Sequence, residues 1–217
     1  MRRMLGTSTE EVGMYARVAA FENRDMSRVD ELIGIVQERI TSGQDLPEAK
    51  RSLMLVDREH GTAVGITLFE NEDAIRRAEP TFERLGDDIP EQLRGRRTSV
   101  ETYEVVIEDI AQGAQAARLS TLEGPADKID EGIAHLTAQI VPQLGDISGS
   151  RGILALVNRT AGQTKTITFW DSAESLRASE ERANQLRSEA AEALSETITG
   201  VERFEVAISE IVAGARA

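Results

Sequence analysis

The side chains that could do chemistry in this 217-residue sequence form a short list. The absence of cysteine excludes disulfides, thiolate nucleophiles and cysteine-ligated metal sites. Only two histidines occur, His60 and His135, so neither a histidine-rich metal centre nor a Ser-His-Asp triad is indicated. We therefore expect no dedicated metal site, and these residues identify no catalytic group.

Two arginines occupy equivalent places 101 residues apart, Arg17 in "MYARVAAF" and Arg118 in "QAARLSTL". Both stretches are typical of β-strands, and the last strand-like stretch of each half retains a glutamate, Glu104 or Glu205. If the first and last strands are neighbours, Arg17 should face Glu104 and Arg118 should face Glu205 as cross-strand ion pairs. The alternative is that each arginine anchors an anionic ligand.

Aromatic and polar candidates lie mainly in the second half of the chain. Trp170, the sole tryptophan, either lines a pocket for an aromatic ligand or is a larger version of its counterpart Phe69 in a core. His135 precedes Leu136 in an apolar helical stripe, so it either edges that stripe or points into a cleft. A pocket near Trp170 would join an aromatic wall to His135 and Asn158.

The elements that position these residues occur twice. "LVDREHGTAVGITLFENEDAI" and "LVNRTAGQTKTITFWDSAESL" start at Leu55 and Leu156, and six of their 21 paired residues are identical. So many identities at one constant spacing indicate a duplicated structural unit.

Each copy contains a predicted hairpin between two strands. Asp57 and Asn158 are suited to starting the turn, and Gly61 and Gly162 can take the positive φ that a short loop requires. Because a strand follows the turn rather than a helix, the run Asp/Asn-Arg-x-x-Gly does not match a phosphate-binding loop.

Helical periodicity completes each unit. Apolar residues on one helical face recur in both copies: Val29, Ile33, Val36 and Ile40, then Ile129, Ile133, Leu136 and Ile140. A second helix should open at Asn71 or Ser172. In the first copy Gly86 and Pro90 should break or kink it, whereas the second copy should run on uninterrupted over 179–196.

Each unit thus reads β-α-β-β-α-β, the ferredoxin-like arrangement, which covers one sheet face with helices and leaves the other bare. The second copy can cover what the first leaves exposed. We predict an α+β protein whose two tandem repeats, 13–109 and 115–212, form one intramolecular barrel. Residues 1–12 would be a mobile tail and 110–114 a connector.

Charge and hydropathy limit the partners. The net charge of −13 argues against nucleic acid and anionic membranes as partners. The one dense basic group, Arg94, Arg96 and Arg97, is interpreted as a solvated helix end or as local partners for the surplus carboxylates. No apolar run is long enough for a membrane helix or a signal peptide, so we expect a cytoplasmic protein.

These residues resemble the dimeric α/β-barrel superfamily and, within it, the antibiotic-biosynthesis-monooxygenase-like domains. The most specific match is "TFWDSAESL", which is similar to the family's transition from third strand to second helix through Trp170, Ser172 and Leu176. The first copy keeps a weaker form of it: Phe69, Asn71 and Ile75. The resemblance implies two ferredoxin-like units joined sheet to sheet, here within one chain.

The resemblance also implies a range of functions. The family includes cofactor-independent oxygenases of aromatic polyketides and heme-degrading monooxygenases, whose axial histidine corresponds to Glu180 here and to Glu79 in the first copy. We therefore expect no heme and no other cofactor, and an apolar, aromatic small molecule as ligand in the second half near Trp170. The alternative is a non-catalytic barrel that binds a ligand or a partner protein. Either a monomeric pseudo-dimer or a homodimer fits the duplication.

Overall fold

Two successive β-α-β-β-α-β units make up the structure, a computed structural model that describes residues 13–22, 26–42, 45–91 and 93–212. The tail predicted at 1–12 lies outside the described residues. The first unit contains β1 (Tyr15–Glu22), α1 (Val29–Ser42), β2 (Ala49–Asp57), β3 (Thr62–Phe69), α2 (Glu72–Asp88) and β4 (Arg96–Ile110). The second contains β5 (Ala116–Glu123), α3 (Ile129–His135), α4 (Val141–Gly145), β6 (Ser150–Asn158), β7 (Gln163–Trp170), α5 (Ala173–Ala178), α6 (Glu180–Leu194) and β8 (Thr197–Ile211).

The eight strands close into one antiparallel barrel in the order β1-β3-β2-β8-β5-β7-β6-β4. The first unit contributes four neighbouring strands and the second unit the other four. The two units meet along β2 with β8 and along β4 with β6. The predicted intramolecular barrel is confirmed. We propose that 13–109 and 115–212 are its structural units, joined by 110–114, of which Ile110 is still the last residue of β4.

Strand alternation builds the core inside the barrel. Because successive side chains point to opposite faces of a strand, every second residue of each strand faces inward. Both units contribute buried residues to this interior: Ala16, Val18, Leu53, Leu55, Val64, Ile66, Leu68, Tyr103, Ala117, Leu119, Leu154, Leu156, Ile167, Phe169 and Phe204. The opposite faces of the strands lie under the helices. The bare sheet faces predicted from the sequence thus cover one another.

The turn and cap residues act as the sequence predicts. Asp57 Oδ1 accepts hydrogen bonds from the amides of Glu59 and His60, and Asn158 Oδ1 accepts one from Ala161. The hairpin glycines have φ values of 68° and 62°. Asn71 and Ser172 cap the second helices through bonds from the amides three residues on.

The second helices differ from the prediction in one respect. In the first unit α2 continues through Gly86 and ends at Asp88, two residues before Pro90. In the second unit α6 runs uninterrupted, but Ser179 separates it from α5. Ser179 is buried, and its hydroxyl donates to the carbonyl of Leu176 at 2.7 Å.

Ion pairs repeat across the two lines where the units meet. Arg58 Nε lies 2.7 Å from Glu205 Oε2, and Arg159 Nε lies 2.6 Å from Glu104 Oε2. Each arginine starts a hairpin turn in one unit and binds the last strand of the other unit. Each also binds an aspartate at the start of the first helix of its own unit: Asp30 and Asp130.

Candidate functional site

Each unit holds a cavity between the outer face of its sheet and the helices that cover it. The cavity of the first unit measures about 510 Å³, and that of the second about 100 Å³. The first is within the size range of small-molecule sites, while the second could hold only a few atoms. The duplication has therefore produced two different cavities.

A row of polar side chains crosses the floor of the first cavity. Arg17 on β1 is paired in register with Thr67 on β3, and Thr67 with Ser52 on β2. All three are buried and line the cavity. The hydroxyl of Ser52 has no hydrogen-bond partner among the described residues. A buried polar atom without a partner is costly, so this hydroxyl is suited to meeting a polar atom of a ligand.

Arg17 is held in one position by two contacts. Its Nε and Nη2 donate to the two carboxylate oxygens of Glu79, both at 2.8 Å. Its guanidinium carbon lies 4.0 Å from the ring centre of Phe82 on the same helix, a cation–π distance. The hydrogen bonds from Arg17 hold the pKa of the Glu79 carboxyl below its usual value.

Apolar side chains form most of the remaining wall, among them Phe21, Leu32, Val36, Ile40 and Met54. The mouth carries the basic group that the sequence singled out. Each of its arginines pairs with a carboxylate: Arg94 with Asp87, Arg96 with Glu22 and Arg97 with Glu83. Their interpretation as partners for surplus carboxylates is confirmed.

Small residues explain the larger volume of the first cavity. Gly65 on β3 and Gly86 on α2 line it, and their equivalents in the second cavity are Thr166 and Arg187. An ideal Cβ on Gly65 would lie 3.9 Å from the Phe21 ring, an ordinary contact. At these two positions the first copy lacks side chains that the second copy has, which leaves more space in the first cavity.

The second cavity contains an unusual arginine environment. Arg118 is 1% exposed, and its Nη2 donates to the Leu176 carbonyl, the Ser179 hydroxyl and Glu180 Oε2 at 2.8, 3.0 and 3.0 Å. Its Nε and Nη1 have no partner in the described part of the chain. His135 Nε2 also lines this cavity, buried and unpaired within the same residues.

The predicted pairing of the arginines with the last strand is wrong. Arg17 is in register with Thr102 rather than Glu104, and it extends beneath α2 to Glu79. Arg118 is likewise opposite Arg203 and pairs with Glu180. Both partners lie on the covering helix because the arginines point away from the barrel interior.

The other predicted site residues lie outside both cavities. Trp170 is completely buried, and its Nε1 donates to Thr168 Oγ1 at 3.2 Å. Phe69 packs edge-on against Phe82, with ring centres 6.3 Å apart. Asn158 serves the hairpin turn. Among the predicted candidates, the structure thus brings Arg118 and His135 together in the second cavity and places Arg17 in the first.

Sequence reasoning missed Ser52, Gly65, Phe82 and Arg187. A signal was available, because the two copies differ in size at positions that face the helices, Gly65 against Thr166 and Gly86 against Arg187. The best-preserved motif indicated Trp170 as a site residue, whereas the cavities depend on positions at which the two copies differ.

Heme does not fit the residues present. At the positions where the resemblance implies an axial histidine, this chain has Glu79 and Glu180, and both bind arginines. His135 lines a cavity of about 100 Å³, too small for a porphyrin. Within the described ranges no cluster of three or more His, Asp or Glu side chains could hold a metal ion. No helix in those ranges is long and apolar enough to cross a membrane.

The curated relatives that match this sequence have no assigned activity. An uncharacterised protein of Mycobacterium tuberculosis is 26% identical over 139 residues, which cover 62% of this chain and 61% of that protein. A second from the same organism is 37% identical over 75 residues, 35% of this chain and 32% of that protein. The matches thus span less than two thirds of these relatives. No protein-family model matches the sequence.

Solved structures share the whole architecture. A candidate monooxygenase from Lactobacillus acidophilus has a TM-score of 0.65 and 11% identity, covering 92% of this chain and 96% of that one. An anthrone oxidase-like protein has a TM-score of 0.62 and 12% identity, covering 95% and 97%. A heme-binding protein from Thermus thermophilus has a TM-score of 0.55 and 10% identity, covering 89% and 91%.

At such identities the likeness establishes the fold. The chain has the dimeric α/β-barrel fold of the antibiotic-biosynthesis-monooxygenase-like proteins, as a tandem-duplicated pseudo-dimer.

Proposed function

We propose that this protein binds an apolar, aromatic small molecule in the cavity of the first unit. The observation that carries the proposal is a cavity of about 510 Å³ with apolar walls and one polar row on its floor. This combination is characteristic of small-molecule sites, in which apolar contacts supply affinity and a few polar groups fix orientation. The ligand is placed here rather than beside Trp170, which lines neither cavity.

The floor row suggests how the ligand is oriented. The unpaired hydroxyl of Ser52 would meet a hydroxyl or carbonyl oxygen on the ligand. The Phe82 ring, already stacked on Arg17, would contact an aromatic face. Binding is the function this geometry supports best, because the described lining contains no histidine and its buried arginine is engaged by Glu79.

A cofactor-independent oxygenase remains the finer alternative. Its support is the fold shared with proteins described as monooxygenases and anthrone oxidase-like. Oxygen consumption in the presence of a bound aromatic compound would distinguish the oxygenase from the non-catalytic binder.

The first prediction tests the cavity directly. Gly65→Leu should fill the space above β3 and weaken binding of naphthol or anthrone by at least tenfold, or about 1.4 kcal/mol. Isothermal titration calorimetry measures the affinity, and an oxygen electrode records turnover in the same samples. Gly34→Leu is the matched control, because Gly34 is exposed on α1 and an added Cβ meets nothing within 4 Å.

Equal affinity of the wild type and Gly65→Leu for every compound that binds would contradict this location. If none of the aromatic compounds tested binds, the result would favour the alternative function, a non-catalytic barrel that binds a partner protein.

A further inference from the structure

The second cavity is surrounded by more positive charge than the protein neutralises. Arg118 and Arg203 both pair with a single carboxylate, Glu180. Arg187 lines the same cavity and bonds only neutral groups, with Nε donating to Ser120 at 3.0 Å and Nη1 to Asn184 at 2.7 Å. In the described part of the chain, Glu180 is thus the one carboxylate bonded to the two arginines Arg118 and Arg203, the second of which is 48% exposed, and Arg187 has none.

The first unit provides an internal comparison. There Arg17 and Glu79 pair one to one, and the equivalents of Arg187 and Arg203 are Gly86 and Thr102. The cavity arginine without a carboxylate partner, Arg187, is therefore a property of the second copy.

The surplus is also costly in the free protein. Burial lowers the pKa of both Arg118 and Arg187, and repulsion from Arg118 contributes to the shift of Arg187. An arginine does not escape this cost by losing its proton at ordinary pH, so the guanidinium groups stay charged. A buried charge without a partner destabilises a protein unless something neutralises it.

The carboxyl group that lines the cavity belongs to Glu196, and it does not neutralise these arginines. Glu196 bonds no cation among the described residues, and burial raises its pKa, which favours the neutral form. Donors therefore remain unused: Nε and Nη1 of Arg118 are buried and unpaired.

We propose that the cavity of the second unit binds the carboxylate of a small organic acid. Arg118 and Arg187 hold the carboxylate, since guanidinium groups form strong charge-assisted hydrogen bonds with it. A short apolar tail packs against Ile129, Ile133 and Leu186. The volume of about 100 Å³ excludes large ligands and favours an acid of a few carbon atoms. The site is separate from the proposed cavity of the first unit and does not depend on it.

Butyrate is a suitable probe, and Trp170 is a built-in reporter. The guanidinium carbon of Arg118 lies 5.7 Å from the Trp170 ring centre, and the chain has no other tryptophan. Titration of the full chain with sodium butyrate at constant ionic strength should change Trp170 emission saturably and raise the Tm. Butyramide, which has the same shape without the charge, should do neither.

Arg187→Gln should weaken butyrate binding about ten- to a hundredfold, the cost of losing a hydrogen bond to a charged group. Its Tm without butyrate should equal or exceed that of the wild type, because the variant removes surplus charge. A purely structural arginine would give the opposite result. Arg177→Gln, the same change at an exposed position, should bind butyrate like the wild type.

Four results would overturn the proposal. One is the absence of a saturable response to butyrate, and another is an equal response to butyramide. The third is an unchanged butyrate affinity in Arg187→Gln. If sulfate at equal ionic strength reproduces the butyrate response, the site is a general anion site and the assignment to a carboxylate is wrong.

Discussion

At the scale of single residues, one arginine has been placed in two electrostatic settings. Arg17 and Arg118 occupy the same register in the two units, and each reaches a glutamate on the covering helix. In the first unit the pair is balanced. In the second unit burial acts to raise the pKa of Glu180, but the hydrogen bonds and positive charges of Arg203 and Arg118 together lower it. The two copies thus share the arginine–glutamate pair, and only the second has further guanidinium donors beside it.

The pair in the first unit should make stability depend on pH. Hydrogen bonds from Arg17 depress the folded pKa of Glu79, so its contribution is present above the unfolded pKa and lost as pH falls through the folded value. Because the Glu79 side chain is 39% exposed, solvent screening limits this contribution to about 1 kcal/mol.

Glu79→Gln should therefore be less stable than the wild type at pH 7, and the difference should shrink as the pH falls below about 4. Urea unfolding at several pH values measures it. A difference that stays constant from pH 7 to pH 3 would show that the ionised carboxylate is not responsible. Glu91→Gln, on the exposed segment after α2, is the control.

The sequence identified these arginines but not their partners. Retained charge at equivalent positions indicates that Arg17 and Arg118 matter. The choice between Glu104 and Glu79 depends on the strand register and on which face the long side chain leaves. Neither is encoded in the spacing of charges. Ser52 was missed for a related reason, since a serine in a strand shows no sign that its hydroxyl will be buried without a partner.

At the scale of elements, local chemistry was predictable where a single residue determines the geometry. Asp57, Asn158 and the hairpin glycines determine the turns, and Asn71 and Ser172 determine the helix starts. The break at Ser179 was not predictable, because it depends on tertiary contacts with Arg118. The π-helical turn at Leu136–Ile140 follows His135 and ends two residues before Pro142, whose missing amide interrupts the α-helical hydrogen bonds.

One glycine determines how the two units meet along β4 and β6. Gly152 has φ 102° and lies opposite Ile110, and a Cβ built on it would be 1.8 Å from the Asp109 carbonyl oxygen. That oxygen belongs to the backbone of the other unit and cannot move aside cheaply. The pairing of β6 with β7 also shifts register between Ser150 and Ile153.

Gly152→Ala should therefore destabilise the protein by more than about 1 kcal/mol, through strain at positive φ and the clash with β4. Thermal unfolding of the full chain measures the change. Gly34→Ala, in the open middle of α1, should instead be neutral or stabilise by about 0.5–1 kcal/mol. A Gly152→Ala variant as stable as the wild type would mean that this backbone contact is looser than described.

At the scale of the whole molecule, the fold was the most predictable feature. A ferredoxin-like unit leaves one apolar sheet face bare, and a tandem copy in the same chain is the nearest surface that can cover it. The differences between the two copies were not predictable in this way, because covering the bare sheet faces requires the same of both units. The cavities differ through side chains such as Gly65 and Arg187, which the barrel closure does not constrain.

The shared interior also predicts how the molecule unfolds. Leu55 in the first unit is completely buried among residues of both units, whereas Trp170 reports on the second unit. Leu55→Ala should cost about 2–5 kcal/mol. The interior is common to both units. The midpoint concentration of guanidinium chloride for unfolding should therefore fall equally whether unfolding is followed by Trp170 fluorescence or by far-UV circular dichroism. Val100→Ala, at a 39% exposed position, should move both midpoints little.

If Leu55→Ala left the Trp170 transition at the wild-type midpoint while the dichroism transition split in two, the units would be independent folding domains in contact. Coincident shifts would establish that the duplicated chain behaves thermodynamically as one barrel.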